Sequence, residues 1–209
     1  MSEARLDRQP EAAVAGGHAD EHGHGAYSHA ENLKFAIWLF LASEVIIFTV
    51  LIAAYLVFAV SHRELIKEIH EAVGILLVSG NTFILISSSW TMVMGLRELQ
   101  RGNIRGLRRW ISATALLGLL FFALQMVEYS QLSAIGITLT TEFGAHFYAP
   151  TMLHGAHVIA GVIWALFVVR QAGRNRYSAT NTVGVEIFGL YWHFVDVIWI
   201  FIFTCIYLL

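Results

Sequence analysis

The sequence predicts an all-α fold, an integral membrane bundle of five transmembrane helices. Three observations lead there. Of 209 residues, 57% are hydrophobic and only 13% charged, about half the charged share of an average soluble domain. The apolar residues fall in five blocks, each long enough to cross a hydrocarbon core, which takes about 20 helical residues. Short polar linkers separate the blocks and carry most of the lysine and arginine. Mean hydropathy is +0.63, and no water-soluble fold of this size could cover so much apolar surface. A net charge of −2 points to neither a nucleic-acid partner nor an acidic substrate, and the single Cys205 cannot form an internal disulfide.

Residues 1–31 are rich in His, Glu, Ala and Gly and show no hydrophobic period, which reads as a mobile polar tail preceding a transmembrane domain over 32–209. No early apolar stretch of the signal-peptide kind is present, so the first helix is expected to direct insertion itself. His18, His22, His24 and His29 form a weak metal-scavenging pattern. Without cysteine, and on a mobile tail, the reading taken is that the chain holds no metal.

The first span is expected at about 33–60, the second at 73–96, the third at 110–132, the fourth at 145–169 and the fifth at 184–209. The linkers are short, so sequence neighbours should pack antiparallel. The fourth span contains Pro150. Either the helix starts there, with proline in its first turn, or it starts near Ala145 and kinks at Pro150. Gly155, Ala156, Ala160 and Gly161 form a small-residue face of the sort that lets helices approach closely in lipid. Trp90 and Trp110 sit near span ends, as interface anchors would; Trp38, Trp164, Trp192 and Trp199 read as helix contacts.

Orientation follows from the cations near span ends. Arg97, Arg101, Arg105, Arg108 and Arg109 lie around the second linker, Arg170, Arg174 and Arg176 in the fourth, and Lys34 at the start of the first span. Against these nine the opposite side offers two, Arg63 and Lys67, offset by Glu64, Glu68 and Glu71. The expectation is a cytoplasmic N-terminus and an outside C-terminus.

An ionised group at mid-bilayer costs about 2.5–3.5 kcal/mol on insertion scales, so each such residue needs a partner or neutralisation. Glu44 in span one, His157 in span four and Asp196 in span five share one layer by their distance from the span midpoints. Glu44 and His157 are the favoured hydrogen-bonding pair. His154 lies three residues before His157, and His193 three before Asp196, each pair on one helical face. Glu128 and Tyr129 lie near the outer end of span three, and Glu186 near the cytoplasmic end of span five. Each polar residue has a plain structural reading beside a functional one: Glu44 as a hydrogen-bond anchor or part of a proton or lipid site, the three histidines as packing residues or metal and haem ligands, Asp196 as structural or proton-linked.

Taken together, three stretches resemble the haem–copper oxidase subunit III family. LFLASEVIIF, Leu39 to Phe48, is similar to its glutamate-bearing helix, LHGAHVIAGVIW, Leu153 to Trp164, to its paired-histidine helix, and YWHFVDVIWIFIF, Tyr191 to Phe203, to its most specific segment. Glu128–Tyr129 and Arg108–Arg109–Trp110 are weaker matches. The resemblance covers residues 33–209. It implies a subunit without haem or metal of its own, haem and copper residing in partner subunits. It also implies packing on the catalytic subunit I beside other oxidase subunits, bound structural phospholipid, and support for proton delivery and turnover stability while oxygen is reduced to water. By the same resemblance the family's intramembrane glutamate maps to Glu44, its paired histidines to His154 and His157, and its WHFVD segment to Trp192, His193 and Asp196. No catalytic residue is expected. Many members have seven spans; the five-span form resembles bacterial members, hence a bacterial plasma membrane. Ser43–Glu44 is closer to the cytochrome c branch than to the quinol branch.

Two rivals remain at this point. A membrane cytochrome b would clamp haem between His157 and His193. A proton-coupled transporter would use Glu44, His157 and Asp196, although the chain lacks the internal repeat such proteins usually show.

Overall fold

The structure, a computed structural model, describes residues 21–64, 66 and 75–209. Residues 1–20, with His18, and Lys67, Glu68 and Glu71 lie outside the described residues, as do the side chains of His22, His24 and His29. Among the described residues there are five long helices and no strand: α1 Glu21–Ser61, α2 Ile75–Gln100, α3 Ile104–Ala134, α4 Glu142–Ala172 and α5 Val183–Ile202, which runs on into a π-helical turn, Phe203–Leu208. All five are long and apolar enough to cross a membrane. The protein is a multi-pass membrane protein.

The helices outrun the apolar runs that predict them. α1 begins at Glu21, so residues 21–31, expected in a polar tail, continue the first helix; the membrane-length part starts at Glu31. The physical reason is propagation. Once a helix is nucleated, each added residue gains a backbone hydrogen bond, whatever its polarity. Arg105, Arg108 and Arg109 likewise sit in the first turns of α3 rather than in a linker. A helix of 31 residues is about 46 Å long, against a hydrocarbon core of about 30 Å, so its ends reach headgroup depth.

Caps fix the boundaries. Asn103 accepts the Gly106 amide at 3.0 Å to start α3, and Thr141 accepts the Gly144 amide at 3.1 Å to start α4. α4 therefore begins ahead of Pro150, which lies inside the helix. There its ring removes the amide that would bond the His146 carbonyl.

α2, α3, α4 and α5 form a four-helix bundle in which α3 packs on α2 and α4, and α5 closes the ring against α4 and α2. α1 lies outside, on α4 and α5. Only 11% of its membrane stretch is buried, against 50% for α5. Trp38, expected as a helix contact, is exposed instead, because α1 has neighbours on one side only.

The core is organised on two tryptophans of α5. Trp192 and Trp199 are fully buried, and their indole N–H groups donate across to α2, to the Ser88 hydroxyl at 3.0 Å and the Thr82 hydroxyl at 2.9 Å. Room for Trp192 comes from glycines on two other helices. A Cβ at Gly118 or at Gly161 would stand 2.6 Å from its ring. Gly155 is also buried, against Phe122 and Gln125, whereas Ala156 and Ala160 face outward. The four small residues thus do not form one packing face, since only the glycines point into the bundle.

Candidate functional site

α1 has little burial to hold it, and its contacts with the bundle include polar ones at three depths. At one end Lys34 pairs with Glu186 of α5 at 2.7 Å. At the other the Tyr55 hydroxyl donates to the Ile206 carbonyl at 3.1 Å. Between them, Glu44 Oε2 lies 3.3 Å from His157 Nε2 on α4.

The imidazole of His157 is oriented from its other side. Its Nδ1 is 2.9 Å from the Leu153 carbonyl one turn back. A carbonyl only accepts, so Nδ1 carries the proton. Nε2 then faces the carboxyl with two options: it is protonated and donates to a carboxylate, or it is bare and accepts from a carboxylic acid. In both, one proton lies between Glu44 and His157. Tyr191 of α5 donates its hydroxyl to the His157 backbone carbonyl at 2.9 Å, and the Phe48 ring meets the imidazole edge-on at 5.4 Å. The side chains of Glu44 and His157 are each 14% exposed, so the pair is sheltered but reachable from the surface of the bundle.

The shared layer of three ionisable groups resolves into two sites. Asp196 does not join Glu44 and His157. Its carboxyl is buried on the opposite side of α5, beside Ser89 of α2. The Ser89 hydroxyl is 2.5 Å from His193 Nδ1. His193 and Asp196 thus share the α2–α5 seam, with Trp192–Ser88 alongside. The midpoint arithmetic fixes depth but not azimuth, and the azimuths of span five turn Asp196 towards α2.

His154 also diverges from His157. It is fully buried, stacked on Trp199 at 5.0 Å and edge-on to Phe121 at 5.7 Å, with neither ring nitrogen hydrogen-bonded. Three residues along a helix turn the side chain by about 60° from full alignment, enough to send one imidazole inward and the other to α1. Glu128 is buried near Tyr207 and beside Tyr129, one carboxyl oxygen lacking a donor. Close by, Gln125 donates to the Thr151 carbonyl at 3.2 Å.

Sequence reasoning missed Ser89, Tyr191 and Gln125. The Ser87–Ser88–Ser89 run inside an apolar span was a usable signal. Tyr191 opens the YWHFVD segment, which signals its place but not its hydrogen bond to the His157 carbonyl, and Gln125 reads as an ordinary residue at a helix interface.

No group of three or more His, Cys, Asp or Glu among the described residues could hold a metal. His157 directs Nε2 to Glu44 of α1, and His193 directs Nδ1 to Ser89 of α2, so each imidazole has one nitrogen engaged by a side chain of a different helix.

Fold and site define a class first: a helical membrane protein whose polar groups meet one another at helix seams. The comparisons narrow it. Residues 13–209 match the sequence profile of the family described as cytochrome c oxidase subunit III. Cytochrome c oxidase subunit 3 of Synechocystis sp. is 40% identical over 187 residues, covering 89% of this chain and 79% of the relative. The protein of that name from Thermostichus vulcanus is 38% identical over 185 residues, 88% and 90% of the two chains. Quinol oxidase subunit 3 of Bacillus spizizenii is 32% identical over 177 residues, 82% and 84%. The chain belongs to the cytochrome c oxidase subunit III family. It is a subunit III of a haem–copper oxidase, part of an oxidoreductase complex with other oxidase subunits.

Proposed function

We propose that this subunit packs on the catalytic subunit I in a bacterial plasma membrane, carries no haem or metal itself, and supports proton uptake and turnover stability through the Glu44–His157 pair. The observation behind this reading is the contact of 3.3 Å between Glu44 and His157 across the α1–α4 seam, one proton lying between two groups sheltered in the hydrocarbon layer. With that proton shared the pair is net neutral and puts no unpaired charge at that depth; gaining or losing a proton changes its charge by one, which ties it to the movement of a compensating charge. The lysine and arginine bias supports a cytoplasmic N-terminus, on the side from which protons would be drawn. A cleft of about 380 Å³ between α1 and α5, lined by Val45, Phe48, Ile52, Phe194 and Phe201, suits an acyl chain of a structural phospholipid.

The experiment is Glu44→Gln in the assembled oxidase. A group doing acid–base chemistry directly is worth about 10²–10⁴-fold. A supporting group should cost less than about tenfold in proton uptake or turnover lifetime, with haem content unchanged. Complete loss of oxygen reduction in a fully assembled variant would refute the supporting role. The donor is read as cytochrome c, the name carried by the Synechocystis and Thermostichus relatives. The Bacillus relative's name keeps quinol as the second reading. Oxygen consumption driven by reduced cytochrome c against quinol separates them.

A further inference from the structure

A second polar feature lies away from Glu44 and His157, on the outer face of the α3–α4 seam. Arg105, Arg108 and Arg109 in the first turns of α3, with Ser112 below them and Val169 of α4 opposite, line an open groove of about 640 Å³. All three arginines are exposed, and none pairs with a carboxylate among the described residues. The nearest acid in sequence, Glu98, is taken by Arg101 and Asn103. Arg108 extends over the end of α4, its guanidinium carbon 3.7 Å from where a Cβ on Gly173 would stand. The cations are thus gathered across the mouth of a two-helix groove.

Depth indicates what they face. Trp110 follows Arg109 directly and meets Trp90 of α2 edge-on at 5.3 Å, the position of an interfacial aromatic anchor. The guanidinium groups therefore stand at headgroup level. One turn further in along each helix, Leu116 of α3 and Leu166 of α4 are exposed apolar side chains. Positive charge at the phosphate plane above exposed apolar side chains matches one amphiphile: a negatively charged phosphate carrying an acyl chain. Basic pockets between transmembrane helices hold anionic headgroups by this chemistry, and guanidinium suits phosphate oxygens because its fork of donors matches them bidentately.

We propose that the α3–α4 groove binds an anionic glycerophospholipid, its phosphate on Arg105, Arg108 and Arg109 and an acyl chain along Leu116 and Leu166. This site is separate from the α1–α5 cleft and does not rest on the proton reading of Glu44.

The test compares the intact oxidase complex with its R105Q/R108Q/R109Q variant. Both are purified in mild detergent, stripped of loosely held lipid, and offered vesicles of phosphatidylglycerol, vesicles of phosphatidylcholine, or inorganic phosphate alone. Each interfacial arginine contributes roughly a fivefold factor to anionic-lipid affinity, so the triple variant should bind phosphatidylglycerol roughly 100-fold more weakly. Wild type should prefer phosphatidylglycerol to phosphatidylcholine and ignore inorganic phosphate. Equal binding of both lipids, an unchanged lipid inventory in the variant, or competition by inorganic phosphate would each overturn the proposal. If the triple variant fails to assemble, R108Q/R109Q and the charge-keeping R108K/R109K are compared instead. Lipid retention that does not follow the charge overturns it there too.

Discussion

His154 sets the clearest problem at the scale of single residues. A fully buried imidazole with two unpartnered nitrogens contributes packing to Phe121 and Trp199, not hydrogen bonds. Removing an unsatisfied polar group while keeping the shape is nearly neutral or stabilising. His154→Leu is therefore expected to leave the melting temperature of the purified complex unchanged or raised by a degree or two, on the order of 1 kcal/mol or less. A large drop would reveal a donor or acceptor that engages the ring. Glu44 and His157 behave oppositely. Each is the other's partner, so Glu44→Gln keeps a hydrogen bond while removing the shared proton, whereas Glu44→Leu leaves His157 Nε2 facing carbon. Leucine there should destabilise by about 1–3 kcal/mol more than glutamine, read as a difference in thermal unfolding. The sequence shows both groups and their common depth. It cannot show that Asp196 turns to the other side of α5, since burial depth is a one-dimensional reading and pairing needs the rotation of each helix about its axis.

Among the elements, α5 is the keel of the bundle. Its Trp192 ring enters a slot floored by Gly118 of α3 and Gly161 of α4 and is tied to Ser88 of α2. One residue thereby connects all four bundle helices. In a tightly packed interior, adding a methyl group to such a slot forces side chains off their rotamers at a cost of about 1–3 kcal/mol. Gly161→Ala should lower the melting temperature of the complex accordingly, and Gly118→Ala should do the same. The nearby Ala160→Gly, at an outward-facing position, should cost no more than about 1 kcal/mol through helix propensity alone. Similar losses at all three positions would show that the slot is not tight. From the sequence Gly161 is one of four small residues, and Gly118 is a lone glycine in an apolar run. Only the packing distinguishes a glycine beneath a tryptophan from an alanine facing lipid.

For the whole molecule, α1 is the detachable part. It lies outside the four-helix bundle with 11% of its membrane stretch buried, and the Lys34–Glu186, Glu44–His157 and Tyr55–Ile206 contacts are spread along its length. The first is part-exposed, in the class worth about 0–1 kcal/mol; the other two are sheltered. Lys34→Ala should hardly change the amide exchange rate of α1 in the isolated complex. Tyr55→Phe combined with Glu44→Leu should raise it several-fold without altering exchange in α2–α5, and uniform acceleration throughout would show that α1 is integral to the core. The sequence alone determines the number of helices, their approximate limits, the membrane setting and the identity of the buried ionisable groups. All of these follow from counting apolar residues against the thickness of a bilayer and from the cost of charge within it. The tertiary structure decides which groups meet, that α1 stands outside while α5 fills the centre, and that the helices continue past the apolar runs. Partner choice depends on the azimuth and packing of helices distant in sequence, and hydrophobic periodicity carries little of that when nearly every face of a span is apolar.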